Sequence, residues 1–377
     1  MRRRILFCLY GSTSFGRFDA SMIKFSGLMG SGMAGTNSRK IIEFRHKKGA
    51  HCETIVTSNL LSHYGLELGE PLVFGIGSGL FFAYLPYSKL YGIPMTSFRN
   101  SPGKIFLNCV QGLKIKTRLH RFYFIKRNAM DDLDELLDRG IPAALQVGVY
   151  WLPFLPWATR LHFNAHHLIV YGREGTEYLI SDPMLKEPVR CARDILMSAR
   201  FARGSMAPNG RMFHIVSIPN SIDFAKVIKD SLLKTCDMML GIPLPNMGVR
   251  GIRFLAWAVK RWPVRFGEER ARTYLAQLVR LQEDTGSGGA GFRFMYADFL
   301  EHAAMKLGRE DLAVFSTQMN DIAARWRDLA LVAARICKQR SGPNETYDAL
   351  ALILRDCADK EEAFFHSLRK TTLAASS

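Results

Sequence analysis

Up to about residue 220 the apolar residues fall into short runs, and beyond it they recur at three- and four-residue steps. Short runs punctuated by glycine and proline predict strands and brief helices, whereas the later spacing predicts long amphipathic helices. In the first part, Ile41 to Arg45 reads as an entry strand and Thr54 to Gly65 as a helix with a terminating glycine. Met130 to Arg139 reads as a helix with an acidic outer face, closed by Gly140, and Ile141 to Leu152 as a strand. Two apolar, partly β-branched runs, around His166 and around Asp182, flank a short charged turn and predict a hairpin. With the 141–152 strand, and with Arg211 to Ile218 added, they make one antiparallel sheet. In the second part Phe224, Val227, Ile228, Leu232, Cys236 and Met239 form one stripe, and Leu312, Phe315, Met319, Ile322, Trp326, Leu329 and Ile336 another. Such stripes are core seams of a helical domain. The expected division is 41–219 for a mixed domain and 220–377 for an all-helical one.

Two glycine-rich stretches interrupt the pattern. Gly75-Ile76-Gly77-Ser78-Gly79-Leu80 follows an apolar run but lacks the sixth-position glycine, opening helix and ribose-binding acid of a dinucleotide site, so close backbone approach is the preferred reading. Thr285-Gly286-Ser287-Gly288-Gly289-Ala290-Gly291 lacks the Gly-Lys-Ser/Thr ending of a P-loop. It reads as an interhelical loop, or as a hinge that brings Arg293 and Tyr296 toward a site in the first domain.

Composition narrows the partners. The 377 residues carry a formal net charge of +17, but residues 1–50 hold 10 basic and 2 acidic side chains, so nearly half the excess lies there. Residues 1–40 are therefore expected to be a basic leader, or a start assigned too early with Met33 as the alternative. The remaining chain is only mildly basic, which suits an acidic protein partner or anionic group better than a nucleic acid duplex. No run of eighteen or more apolar residues predicts a membrane span. The seven cysteines are scattered and form no CxxC pair, which fits a reducing cytoplasm without a cysteine zinc site. His162, His166 and His167 lack clustered acidic or cysteine partners, so no metal is expected.

The chemistry centres on Cys52, placed at the start of the 54–65 helix, where unpaired N–H groups and the positive dipole end favour a thiolate. If Arg173-Glu174-Gly175 forms a three-residue loop, His166 stands opposite Asp182; a two-residue Glu174-Gly175 turn would pair His167 instead. The first register is preferred, giving Cys52 as nucleophile, His166 as base and Asp182 as the acid that orients it. His51, Glu53, His162, His167, Arg293 and Tyr296 are the candidate substrate-binding residues. A cysteine of this type serves acyl transfer, or hydrolysis as in a cysteine peptidase or amidohydrolase, and a non-catalytic scaffold with a buried thiol is the third possibility.

His51-Cys52-Glu53-Thr54 with Asn59-Leu60-Leu61, Phe74 to Leu80, Leu152-Pro153-Phe154, His162-Phe163-Asn164-Ala165-His166 and Ser181-Asp182-Pro183 resemble the butirosin biosynthesis protein H family. Thr285 to Gly289, Phe292 to Tyr296 and Phe299-Leu300 resemble the helical domain of unknown function that commonly follows it. The resemblance covers roughly residues 42–375. It implies an α+β fold: a papain-like cysteine domain with an antiparallel sheet, related to the double-glycine peptidases, followed by an all-helical domain. It also implies transfer of an aminoacyl or acyl group from an acyl carrier protein thioester to an amine acceptor, in antibiotic biosynthesis; the named member moves a γ-glutamylated aminoacyl group onto an aminoglycoside. No cofactor is expected beyond the phosphopantetheine arm that the carrier brings. On this resemblance Cys52, His166 and Asp182 match the nucleophile, base and orienting acid. The related peptidases have an oxyanion-hole glutamine about six residues before the cysteine, where this chain has His46.

Overall fold

The computed structural model describes residues 39–86, 92–122, 126–156, 160, 162–284 and 286–374, which form one compact unit. The expected leader lies outside the described residues apart from Arg39 and Lys40. A seven-stranded antiparallel sheet comprises β1 (Arg39–Ile41), β4 (Lys116–His120), β5 (Ala143–Val147), β6 (His166–Glu174), β7 (Glu177–Ser181), β8 (Val189–Ala192) and β9 (Met212–Ser217). Its order is β4-β9-β5-β6-β7-β8, with β1 pairing the far end of β6. A separate hairpin joins β2 (Leu80–Leu85) and β3 (Met95–Arg99). Around the sheet lie α1 (Cys52–His63), α2 (Glu70–Ile76), α3 (Lys104–Gly112), α4 (Lys126–Asp138) and α5 (Arg193–Arg200). Seven helices follow: α6 (Phe224–Leu240), α7 (Gly248–Val259), α8 (Trp262–Phe266), α9 (Glu268–Glu283), α10 (Arg293–Leu307), α11 (Glu310–Cys337) and α12 (Tyr347–Ala374). The expected antiparallel sheet and the helical C-terminal part are both present, making the fold α+β. None of the helices among the described residues is long and apolar enough to cross a membrane.

Side-chain alternation divides the sheet between two cores. Leu145, Val147, Leu168, Val170, Ile180 and Met212 face α4 and α5 in one cluster, whereas Ala144, Ile169 and Phe213 join α1, α2 and α3 in the other. The second cluster continues without a break into the helices after residue 224. Helix α1 owes its existence to this burial. Thr54-Ile55-Val56-Thr57 is a β-branched run of low intrinsic helix propensity, yet Glu53 through Leu61 are all buried. Packing on both sides, rather than local preference, sustains it.

The glycines at 75, 77 and 79 permit close approach, as the sequence suggests. A Cβ on Gly75 would overlap the Phe299 ring of α10, one on Gly77 would press on Ile105, and one on Gly79 on the Phe74 ring. Gly75 thereby brings α2, which braces the turn before Cys52, against the helical part. Gly75→Ala is expected to lower unfolding free energy by about 1–3 kcal/mol, the usual cost of overpacking, as measured by urea denaturation.

Candidate active site

Cys52 opens α1 with His51 as the extended residue before it. The turn feeding the helix is held by Glu70, whose Oε2 accepts from Ala50 N at 2.9 Å and whose Oε1 accepts from His51 N at 2.6 Å and Thr54 Oγ1 at 2.8 Å. One carboxylate thus ties the two backbone N–H groups before the thiol to the Thr54 hydroxyl after it. Sequence reasoning missed Glu70, since its only local signal is an acid in the first turn of a short helix.

The helix N-terminus meets the beginning of β6. Cys52 is partly exposed, with Sγ 4.0 Å from the Ala165 carbonyl oxygen, and the His166 and His167 rings both act on the thiol. Consecutive strand residues project to opposite faces, so rings from both sides of β6 converge where the strand starts. His166 Nε2 donates to Asp182 Oδ2 at 2.8 Å, both groups being buried. That bond leaves Nδ1 as the ring nitrogen for the thiol. Asp182 Oδ1 in turn accepts from Met184 N at 2.9 Å, fixing the carboxylate plane.

The expected partnership forms through a different register. The hairpin turns at Gly175-Thr176, with Glu174 paired to Glu177, instead of through an Arg173-Glu174-Gly175 loop. Carried on unchanged, that pairing would set Ile169 opposite Asp182 and give the carboxylate's face to His167. An extra residue on β6, Tyr171, lies between the pairs Gly172↔Leu179 and Val170↔Ile180. This β-bulge shifts the alternation by one, so Asp182, just beyond β7, falls on the face of Leu168 and His166. His166 reaches it diagonally, not from directly opposite.

The electrostatics separate Cys52 from the other thiols. Burial by itself would raise it, but the neighbouring His166 and His167 rings bring it down from 9.0 to about 5. Burial would lower His166, yet the Asp182 charge and hydrogen bond, helped by the thiolate, raise it to about 10. The resting state is therefore a thiolate–imidazolium pair. Burial pushes Cys109, Cys191 and Cys236 up to about 12 and Cys337 to about 11, and raises Cys357 as well. His51 is held well below its ordinary value by burial, by Arg99 and by the two other rings, so it stays neutral beside the site.

Other candidates lie elsewhere. Glu53 is buried beneath the site, accepting from Phe106 N at 3.0 Å in the first turn of α3 and from Arg99 Nη1 at 3.5 Å, so it anchors α3 and faces no ligand. His162 is on an exposed loop, stacked on Tyr150 at 4.2 Å between ring centroids. Arg293 and Tyr296 are fully buried in the helical core. Arg293 pairs with Glu361 through Nε at 2.9 Å and Nη2 at 3.0 Å, Glu361 also accepts from Trp326 Nε1 at 2.6 Å, and the guanidinium stacks on the Trp326 ring. Tyr296 packs between Phe299 and Phe365. Neither touches the thiol; an ionic side chain on α10 was mistaken for a ligand because its partner, Glu361, is 68 residues away. The glycine-rich loop does reach the site: Arg293 Nη1 holds the Gly291 carbonyl at 2.8 Å, Phe292 meets His51 edge-on, and a Cβ on Gly286 would press on the Ala50 carbonyl. His46 uses its ring on Ser181 Oγ at 2.7 Å and on the Leu185 carbonyl at 3.3 Å. That leaves the N–H groups opening α1 as the donors for an oxyanion beside Cys52. Among the described residues no group of three or more His, Cys, Asp and Glu is placed to hold a metal ion.

Residues 51–183 match the family model described as Butirosin biosynthesis protein H, N-terminal, and residues 194–368 match the Domain of unknown function (DUF4872). Among solved structures, the chain is similar to a C39-like peptidase from Bacillus anthracis at 14% identity and a TM-score of 0.35, over 48% of this chain and 98% of that one. No curated protein matches the sequence.

Iodoacetamide labelling of Cys52 should follow a midpoint near pH 5, because a depressed thiol keeps its thiolate above that value and loses it as the pH falls through it. His166→Ala should cut the labelling rate at pH 7 by roughly 100-fold, the thiolate fraction of an ordinary thiol; peptide mass mapping over time reads both. Arg293→Met strands Glu361 without its counter-charge and should cost about 3–5 kcal/mol in urea unfolding.

Proposed function

Because this chain belongs to the butirosin biosynthesis protein H-like family, we propose that it is a cysteine-dependent acyltransferase, moving an acyl or aminoacyl group from an acyl carrier protein thioester to an amine through a Cys52 acyl-enzyme. The observation that carries this reading is the lowered Cys52 thiol beside a raised His166, with Asp182 behind the ring. The Cys52 thiolate attacks the thioester carbonyl carbon, and the negative charge moves to the oxygen beside the helix N-terminus. Collapse breaks the bond to the carrier sulfur, which takes the proton from His166 and leaves as a thiol. The amine then attacks the acyl-enzyme, His166 takes its proton, and Cys52 departs as thiolate. Asp182 holds the ring with Nδ1 toward sulfur throughout. The phosphopantetheine arm comes with the carrier, whose acidic surface suits the basic balance of this chain, and the reaction belongs in the cytoplasm.

Hydrolysis differs only in the acceptor, so the products decide. With an acyl carrier thioester, intact mass of the wild-type protein should show one acyl adduct, absent in Cys52→Ala; an adduct persisting in that variant excludes this nucleophile. Adding amines should divert the acyl group into amide faster than into free acid. Free acid as the sole product, whatever amine is present, would make the protein a hydrolase.

A further inference from the structure

A polar row leads away from the thiol across the sheet. Gln146 pairs with His167 on one side, and on the other its N–H donates to the Arg211 carbonyl at 3.1 Å, so Arg211, just before β9, Gln146 on β5 and His167 on β6 follow one another on one face. The side chains continue the row: Arg211 Nη1 donates to Gln146 Oε1 at 2.9 Å. His167, fully buried, has no nitrogen or oxygen partner on either ring nitrogen and turns toward Cys52. Gln146 Nε2 is committed to the carbonyls of Asn164 at 2.8 Å and Met206 at 3.1 Å, which ties down the loops on both sides.

The row ends in a cavity of about 190 Å³ lined by Gln146, Arg211, Arg121, Met206, Asn209 and neighbouring residues. Its walls contain two guanidiniums and no carboxylate. Gly103 makes room for one of them, since a Cβ there would press on the Arg211 guanidinium. Two strand spacings, about 10 Å, separate the backbone of His167, whose ring acts on the thiol, from that of Arg211 in the cavity wall, a span that one extended substrate can cover.

We propose that this cavity is an anion subsite, in which Arg211 and Arg121 bind a carboxylate or phosphate oxygen of the thioester whose carbonyl lies at Cys52. The inference rests on the acyl-transfer reading for its substrate. Planar guanidiniums with several donors are suited to such oxygens. Gln146 sets the Arg211 fork in place before the ligand arrives. The anion comes either from the far end of the acyl chain or from the phosphate of the carrier's arm.

The test uses the full chain and the rate of Cys52 acylation by intact mass. Hexanoyl and adipoyl N-acetylcysteamine thioesters differ at the chain end by a carboxylate; hexanoyl pantetheine and hexanoyl phosphopantetheine differ by the phosphate. The anionic member of one pair should react roughly twofold to fivefold faster, the size expected for a partly exposed charge pair, and that preference should vanish in Arg211→Gln. Arg121→Gln, at an exposed position that tolerates replacement, carries the same expectation. A preference in the first pair assigns the acyl carboxylate, and one in the second the arm phosphate. Equal rates in both pairs, or a preference that survives both substitutions, overturn the subsite. If none of the four thioesters acylates Cys52, the acyl-transfer reading fails, and the subsite is judged by adipate and inorganic phosphate: slowing of iodoacetamide labelling at Cys52 in wild type but not in Arg211→Gln upholds it, and no slowing removes it.

Discussion

A thiolate in a largely buried site persists only if its counter-charge is close, and here the counter-charge is built into the end of a strand. Burial alone would leave Cys52 as inert as Cys109, whose thiol is pushed up to about 12. The difference is the imidazolium of His166, itself charged because Asp182 lies 2.8 Å away. Each pKa unit corresponds to about 1.4 kcal/mol between protonation states, so the two rings and the carboxylate together reverse a burial penalty of several kcal/mol. This coupling requires the helix, strand and hairpin to hold their relative positions closely. The sheet supplies that rigidity by pairing β6 with both β5 and β7.

The alternation of the sheet, and the bulge within it, determine which histidine meets the carboxylate. His166 and His167 are equivalent in composition and adjacent in the chain; only the face each occupies distinguishes them. Tyr171 restores the alternation that the Gly175-Thr176 turn would otherwise reverse. His167 is left on the α1 face, in line with Gln146 and Arg211, so the two rings divide their surroundings: one is backed by an acid, the other by an amide and a guanidinium.

How much of this was legible in the sequence depended on the range of the interaction. The Cys52 helix start and the His/Asp hairpin are local patterns, and glycine and β-branching mark them. The neighbouring strands and the helical C-terminal part follow from period as well, whereas the order β4-β9-β5-β6-β7-β8 does not. The bulge was not legible, because one extra residue in a run such as Leu168-Ile169-Val170-Tyr171 leaves the apolar pattern unchanged. Glu53 and Arg293 were misread for one shared reason: a charged side chain looks like a surface or ligand-facing group until its partner is known, and Phe106 N and Glu361 are both distant in the chain. Glu70 was overlooked because its two backbone partners lie across a turn from it, in a segment with no marker of its own.

The helical part acts on the site as a wall rather than as a supplier of ligands. The Arg293–Glu361–Trp326 group is buried and fully engaged, and such a network is stable only when every member is satisfied. It holds Gly291 and so the loop that brings Phe292 against His51 and Phe74. The Phe292 ring packs against His51 at the back of the turn carrying Cys52, the turn from whose N–H groups Glu70 accepts. With His46 tied to Ser181, the helix opening is what remains to donate beside the thiol. The lowered thiol pKa and the placement of the helix opening are therefore parts of one arrangement, and a change in the packing of α1 on β6 would alter both.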